Sequence, residues 1–109
     1  MGVSTSNRPR ALMVDDDVTT SPVYLRRLTD EGYQVTTAND PALALTLAKE
    51  SPPSIIFVHL GRGGSGCSAF IVALRAGDDT RHIPVAVLSH YYNPNLERIG
   101  LTAVVAENW

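Results

Sequence analysis

Three acids in a row, Asp15-Asp16-Asp17, follow the apolar run Ala11-Leu12-Met13-Val14, and one histidine, His59, follows the run Ile55-Ile56-Phe57-Val58. Adjacent carboxylates can hold a hard divalent cation through oxygen ligands. Together with His59, Asp15 and Asp16 also supply the ligand types of a two-carboxylate, one-histidine centre for zinc, manganese or iron. Each group has a plainer reading as well. Three acids at a strand end make a solvated turn, and a lone histidine there is a hydrogen-bonded structural residue. Ser89-His90 and Glu107 close two later apolar runs. No nucleophile stands beside an activating base, so an enzyme is the weaker class.

The segment Gly61-Arg62-Gly63-Gly64-Ser65-Gly66 matches G-x-G-x-x-G between a strand and a helix, a pattern that lets backbone approach a nucleotide or phosphate at a helix N-terminus. It follows the third apolar run rather than the first, and no acid closes the next strand, where a ribose partner belongs. The alternative is mobility: four glycines free the loop, and Arg62 is able to fold over the strand ends. Small-ligand or nucleotide sensing is the second functional reading.

These groups need a scaffold that brings strand ends together. Residues 11–14 read as a buried first strand. Ser21-Pro22 caps a first helix that runs to Gly32, with Val23, Leu25 and Leu28 as its apolar stripe. Tyr33 to Thr37 is a second strand. Asp40-Pro41 repeats the cap-and-proline signal for a second helix carrying Leu43, Ala44, Leu47 and Ala48. Pro52-Pro53 stops that helix before the third strand, 55–58, whose unbroken apolar run marks cover on both faces. Cys67, Phe70, Ile71 and Leu74 line a third helix. Pro84 to Leu88 is a fourth strand, Asn93-Pro94 opens a short helix, and Ala103 to Ala106 is a fifth strand. Alternating strands and helices imply right-handed crossovers and a parallel sheet covered on both sides, with its site at the carboxyl ends of the strands.

One domain fits this length, residues 11–109, behind a loose tail of residues 1–10. The composition, 44% hydrophobic and 18% charged, is that of a packed globular chain. A net charge of -2 argues against nucleic acid or an anionic membrane as the partner. Cys67 is the sole cysteine and reads as core filler, and no charged-then-apolar leader opens the chain, so the cytoplasm is the expected compartment. His82 precedes the fourth strand, at the end away from the site, and reads as a surface residue.

Leu-Met-Val-Asp-Asp-Asp at strand one, Pro-Ser-Ile-Ile-Phe-Val-His-Leu at strand three and Ile-Pro-Val-Ala-Val-Leu-Ser at strand four together resemble the receiver domain of bacterial response regulators. The resemblance spans nearly the whole chain and implies a flavodoxin-like, doubly wound sheet of five strands in the order 2-1-3-4-5. It further implies a part in two-component phosphorelay signalling. In that family two acids after strand one help hold magnesium, an aspartate ending strand three accepts phosphate, a Thr or Ser ends strand four and a Lys ends strand five. Asp15 and Asp16 match the acids and Ser89 the hydroxyl. His59 replaces the acceptor and Glu107 the lysine.

An imidazole in place of a carboxylate is expected to leave magnesium binding weak or absent. His59 is expected instead to set positive charge against Asp15, Asp16 and Glu107, fixing the pocket in one state. The chain thus reads as a phosphorylation-independent pseudo-receiver, not an enzyme, acting through protein contacts. Only Asn108 and Trp109 follow the fifth strand, so the family's last helix is missing and apolar side chains on strands three to five are expected to lie exposed. A homodimer or a partner domain is expected to cover them, and a shortened chain is the plainer explanation of the gap. Tyr91 and Tyr92 are candidate partner-facing aromatics.

Overall fold

The structure, a computed structural model, describes residues 8–15, 21–59, 65–89 and 103–106, with backbone alone for Ser21, 65–68, Ser89 and 103–106. Its elements are β1 (Arg10–Asp15), α1 (Ser21–Asp30), β2 (Gln34–Ala38), α2 (Pro41–Glu50), β3 (Ile55–His59), α3 (Ser65–Ala76), β4 (Val85–Ser89) and β5 (Ala103–Ala106). The strands pair in the order β2-β1-β3-β4-β5, and every pairing is parallel. This is the doubly wound, flavodoxin-like architecture that alternating strands and helices impose.

Parallel strands need covered crossovers, and the period of two along each strand divides their side chains between two cores. Leu12 and Val14 of β1, Ile56 and Val58 of β3, and Val85 and Val87 of β4 pack with Ala44 and Ala48 of α2 and Phe70, Ile71 and Leu74 of α3. Their alternates, Ala11, Met13, Phe57, Ala86 and Leu88, pack with Tyr24 and Leu28 of α1. Each large aliphatic side chain removed from water in this way contributes about 1.5–3 kcal/mol.

The helix ends follow local chemistry. Asp40 caps α2, its carboxylate accepting from the Leu43 backbone N–H at 2.8 Å, with Pro41 in the first turn. α1 gives way to Gly32, which takes a φ of 103° while its N–H reaches the Thr29 carbonyl and the Tyr33 N–H reaches Leu28. Beyond α3, Thr80 is fully buried and its hydroxyl donates to the Leu74 carbonyl at 2.7 Å. Arg75 secures the same connection by donating to the carbonyls of Arg81 and Ile83.

Several sequence expectations need correction. The buried face of α1 is Tyr24 and Leu28, four residues apart on one side of the helix, whereas Val23 is 66% and Leu25 37% exposed. On α2, Ala44 and Ala48 face the core and Leu43 faces solvent. Arg10, placed in the tail by sequence, opens β1: its carbonyl accepts from Ser54, and its guanidinium donates to the Ser51 hydroxyl and, at 2.6 Å, to the Pro52 carbonyl. Of the apolar faces expected to lie exposed on strands three to five, those of strands three and four are buried, and the side chains of strand five lie outside the described residues. Phe57, Val85, Ala86, Val87 and Leu88 are all buried. The short helix opened by Asn93-Pro94 lies outside the described residues.

Candidate functional site

The parity that sends Ala11 and Met13 toward α1 also sends Asp15 there, and the parity of Ile55 and Phe57 does the same for His59. β1 and β3 are hydrogen-bonded neighbours whose register pairs Asp15 with His59, so both side chains leave the same end of the sheet on the same face. His59 Nδ1 lies 3.1 Å from Asp15 Oδ1. The Asp15 side chain is 1% exposed and the imidazole 14%, so little water competes for the contact.

A carboxylate offers only acceptors, so the contact is a hydrogen bond with Nδ1–H donating. In a neutral ring this leaves the lone pair on Nε2, and a ring carrying both protons turns the bond into a salt bridge. Tyr24 forms the third side of the arrangement. Its ring, buried on α1, stands 4.9 Å from the imidazole centroid at an interplanar angle of 45°. The ring of Tyr33 meets Phe57 edge-on at 5.4 Å one layer below. Sequence reading passed over Tyr24. The usable signal was its four-residue spacing from Leu28 in the helix that follows the acids.

The other candidates divide. Ser89 ends β4 at the same edge of the sheet, and its backbone pairs with Ala106. Asp16, Gly61, Arg62, Gly63, Gly64, His90, Tyr91, Tyr92 and Glu107 lie outside the described residues. Gly66, the last glycine of the G-x-G-x-x-G pattern, falls within α3 and not in a loop. Cys67 also lies on α3, and His82 is exposed as expected. Among the described residues no group of three His, Cys, Asp or Glu side chains is arranged to hold a metal ion. A cavity lined by Arg10, Leu12, Thr36, Leu47, Ser51 and Pro53 opens at the opposite end of the sheet.

No protein-family model matches the chain. It is 39% identical over 88 residues to the transcriptional regulatory protein PrrA of Mycobacterium leprae, covering 81% of this chain and 36% of PrrA. It is 37% identical over 82 residues to the response regulator PleD of Caulobacter vibrioides, covering 73% of this chain and 18% of PleD. This chain is a receiver domain of the response regulator family. The fold agrees: the chemotaxis protein CheY4 of Vibrio cholerae superposes with a TM-score of 0.81 at 23% identity, covering 94% of this chain and 88% of that one. The receiver spans about a third of PrrA and under a fifth of PleD. No helix among its described residues is long and apolar enough to cross a membrane.

The resemblance implies that the family's chemistry lies at the end of β3 and at the acids after β1. Here the described part of that place is an imidazole bonded to a buried carboxylate.

Proposed function

We propose that this receiver is a cytoplasmic module whose state is not set by aspartyl phosphate, and that it acts through protein contacts. The observation that carries the reading is the Asp15–His59 hydrogen bond at the junction of β1 and β3. The resemblance calls for a carboxylate at position 59 to form an acyl phosphate, and an imidazole forms none. The same bond bears on magnesium. Asp15 Oδ1 is directed at a ring nitrogen, and position 59 offers nitrogen where that ion requires oxygen, so the residues do not fit an octahedral magnesium site.

The pair also puts an N–H donor where the family has a cation. In the family's pocket a metal faces the acids. Here Nδ1–H faces Asp15 and remains with it, holding the strand ends in one arrangement. β3 and β4 offer a self-associating dimer no exposed apolar face, since their central side chains are buried, which leaves strand five alone to supply one. The contact is with a protein partner or with a second copy of this chain.

Incubation with magnesium and acetyl phosphate, followed by intact-mass measurement, tests the reading. The expected result is no alkali-labile adduct, with the same outcome for a D15A/D16A control. An alkali-labile phosphoryl group that disappears in the control would sink it.

A further inference from the structure

β2 is an outermost strand of the sheet, so one of its edges meets no other strand. The Gln34 N–H donates to the Pro9 carbonyl at 2.9 Å, which turns the backbone groups of Gln34, Thr36 and Ala38 toward β1. Backbone groups alternate sides along a strand, so the N–H and C=O of Val35 and Thr37 point away from the sheet. Among the described residues none donates to or accepts from these groups. Sheets commonly guard such an edge with lysine or proline, because it is a template for another chain. β2 reads Gln-Val-Thr-Thr-Ala, without either guard, and Thr36 and Thr37 are exposed.

A second feature lies beside the same edge. Thr36 is in register with Leu12, which packs in the core beneath α2, so Thr36 stands on the α2 side of the sheet. There a cavity of about 140 Å³ is lined by Leu12, Leu47 and Pro53, with Thr36 as its contribution from β2. A cavity of ~150 Å³ takes up benzene, so this one has room for an aliphatic side chain. Exposed Arg10, in register with Gln34, lines it too, and its bonds to Ser51 and Pro52 leave N–H groups over for a carboxylate.

We propose that the outer edge of β2 and the cavity beside Thr36 form a groove for an extended peptide segment of a partner protein, added antiparallel to β2. Main-chain bonds supply affinity in this mode and alternate side chains supply selectivity. The peptide residue opposite Thr36 carries a leucine-sized side chain into the cavity. Its two neighbours, opposite Thr37 and Val35, exchange backbone hydrogen bonds with them. The residue two positions after the anchor falls opposite Gln34 on the same face, where Arg10 favours an acid. The proposal rests on the reading that this receiver acts through protein contacts, and names one surface for them.

The probe is acetyl-Thr-Thr-Val-Leu-Val-Glu-Thr-amide, titrated into the isotope-labelled intact chain and followed by amide NMR and hydrogen exchange. Expected are saturable shifts at Val35, Thr37 and Leu47, with slower exchange of the Val35 and Thr37 amides. Replacing the peptide's leucine by alanine should weaken binding about tenfold or more. N-methylating its two valines, which removes both peptide donors, should weaken it by about the same factor. Absence of those shifts at millimolar peptide, or equal binding of the N-methylated peptide, overturns the proposal. So does slow exchange at Val35 and Thr37 without peptide together with a doubled mass in ultracentrifugation, since a second copy then holds the edge. An alkali-labile phosphoryl adduct in the acetyl phosphate experiment would instead overturn the phosphorylation-independent reading and leave this groove standing.

Discussion

Replacing His59 by aspartate is the most demanding perturbation of this site, because H59D exchanges the donor beside Asp15 for a second acceptor. The Asp15 side chain is 1% exposed and its partner 14%, so solvent does little to relieve what the exchange creates. Losing a hydrogen bond to a charged group costs about 1.5–3 kcal/mol. Two carboxylates about 4 Å apart repel by as much as ~4 kcal/mol at an effective dielectric of 20, less whatever the new side chain recovers by turning toward the strand end. A net loss of about 3–5 kcal/mol is expected, a large fraction of the total stability of a small domain. The exchange also returns an oxygen ligand to position 59, so magnesium at about 100 times its dissociation constant is expected to restore roughly 2.7 kcal/mol to H59D and nothing to the unaltered protein. Urea unfolding followed by circular dichroism, with and without magnesium chloride, reads all four stabilities. An unaltered protein stabilised by magnesium as much as H59D would refute the reasoning, as would an H59D variant that loses nothing in the absence of the ion.

Three further outcomes are expected. In G77A the new Cβ would sit 2.6 Å from the Thr80 hydroxyl, which is buried and already donates to Leu74, so the variant should lose about 1–3 kcal/mol. Adding T80A relieves the clash, and the double variant should cost less than the sum of the singles in thermal or urea unfolding. D40A removes the α2 cap and should cost about 1 kcal/mol, measurable as a lower urea midpoint at an unchanged slope. Zinc added in excess should leave the melting temperature where it was, because Asp15 is engaged as a partner of His59; a clear rise would revive the metal-centre reading.

Much of this was legible in the sequence, for identifiable reasons. A parallel strand covered on both faces is apolar throughout, so β3 and β4 announced themselves, and Asp40-Pro41 marked the start of α2 because cap and proline satisfy the same helix end. Asp15 and His59 were singled out because each closes such a run. Their hydrogen bond was not legible, since it depends on a register of two strands forty-four residues apart in the chain and on both side chains facing α1. The α1 stripe was misread for a related reason. Val23 and Leu25 are more apolar than Tyr24, but a helix on a sheet buries residues by angular position, and Tyr24 with Leu28 occupies the inward side. Arg10 looked like tail because its charge hid a strand residue whose side chain lies across the end of α2.

Asp15, Tyr24 and His59 all come from the first βαβαβ stretch of the chain, Arg10 to His59. β1 is the second strand of the sheet, flanked by β2 and β3, and those two pairings, with α1 laid over them, are what place the imidazole against the carboxylate. During synthesis this stretch is made before β4. The order in which the strands are made thus differs from their order across the sheet: the strands that set the dyad come first in the chain, and β4 pairs with β3 on the side away from β1. Changes confined to β4 or beyond should therefore act on overall stability well before they act on the geometry of His59.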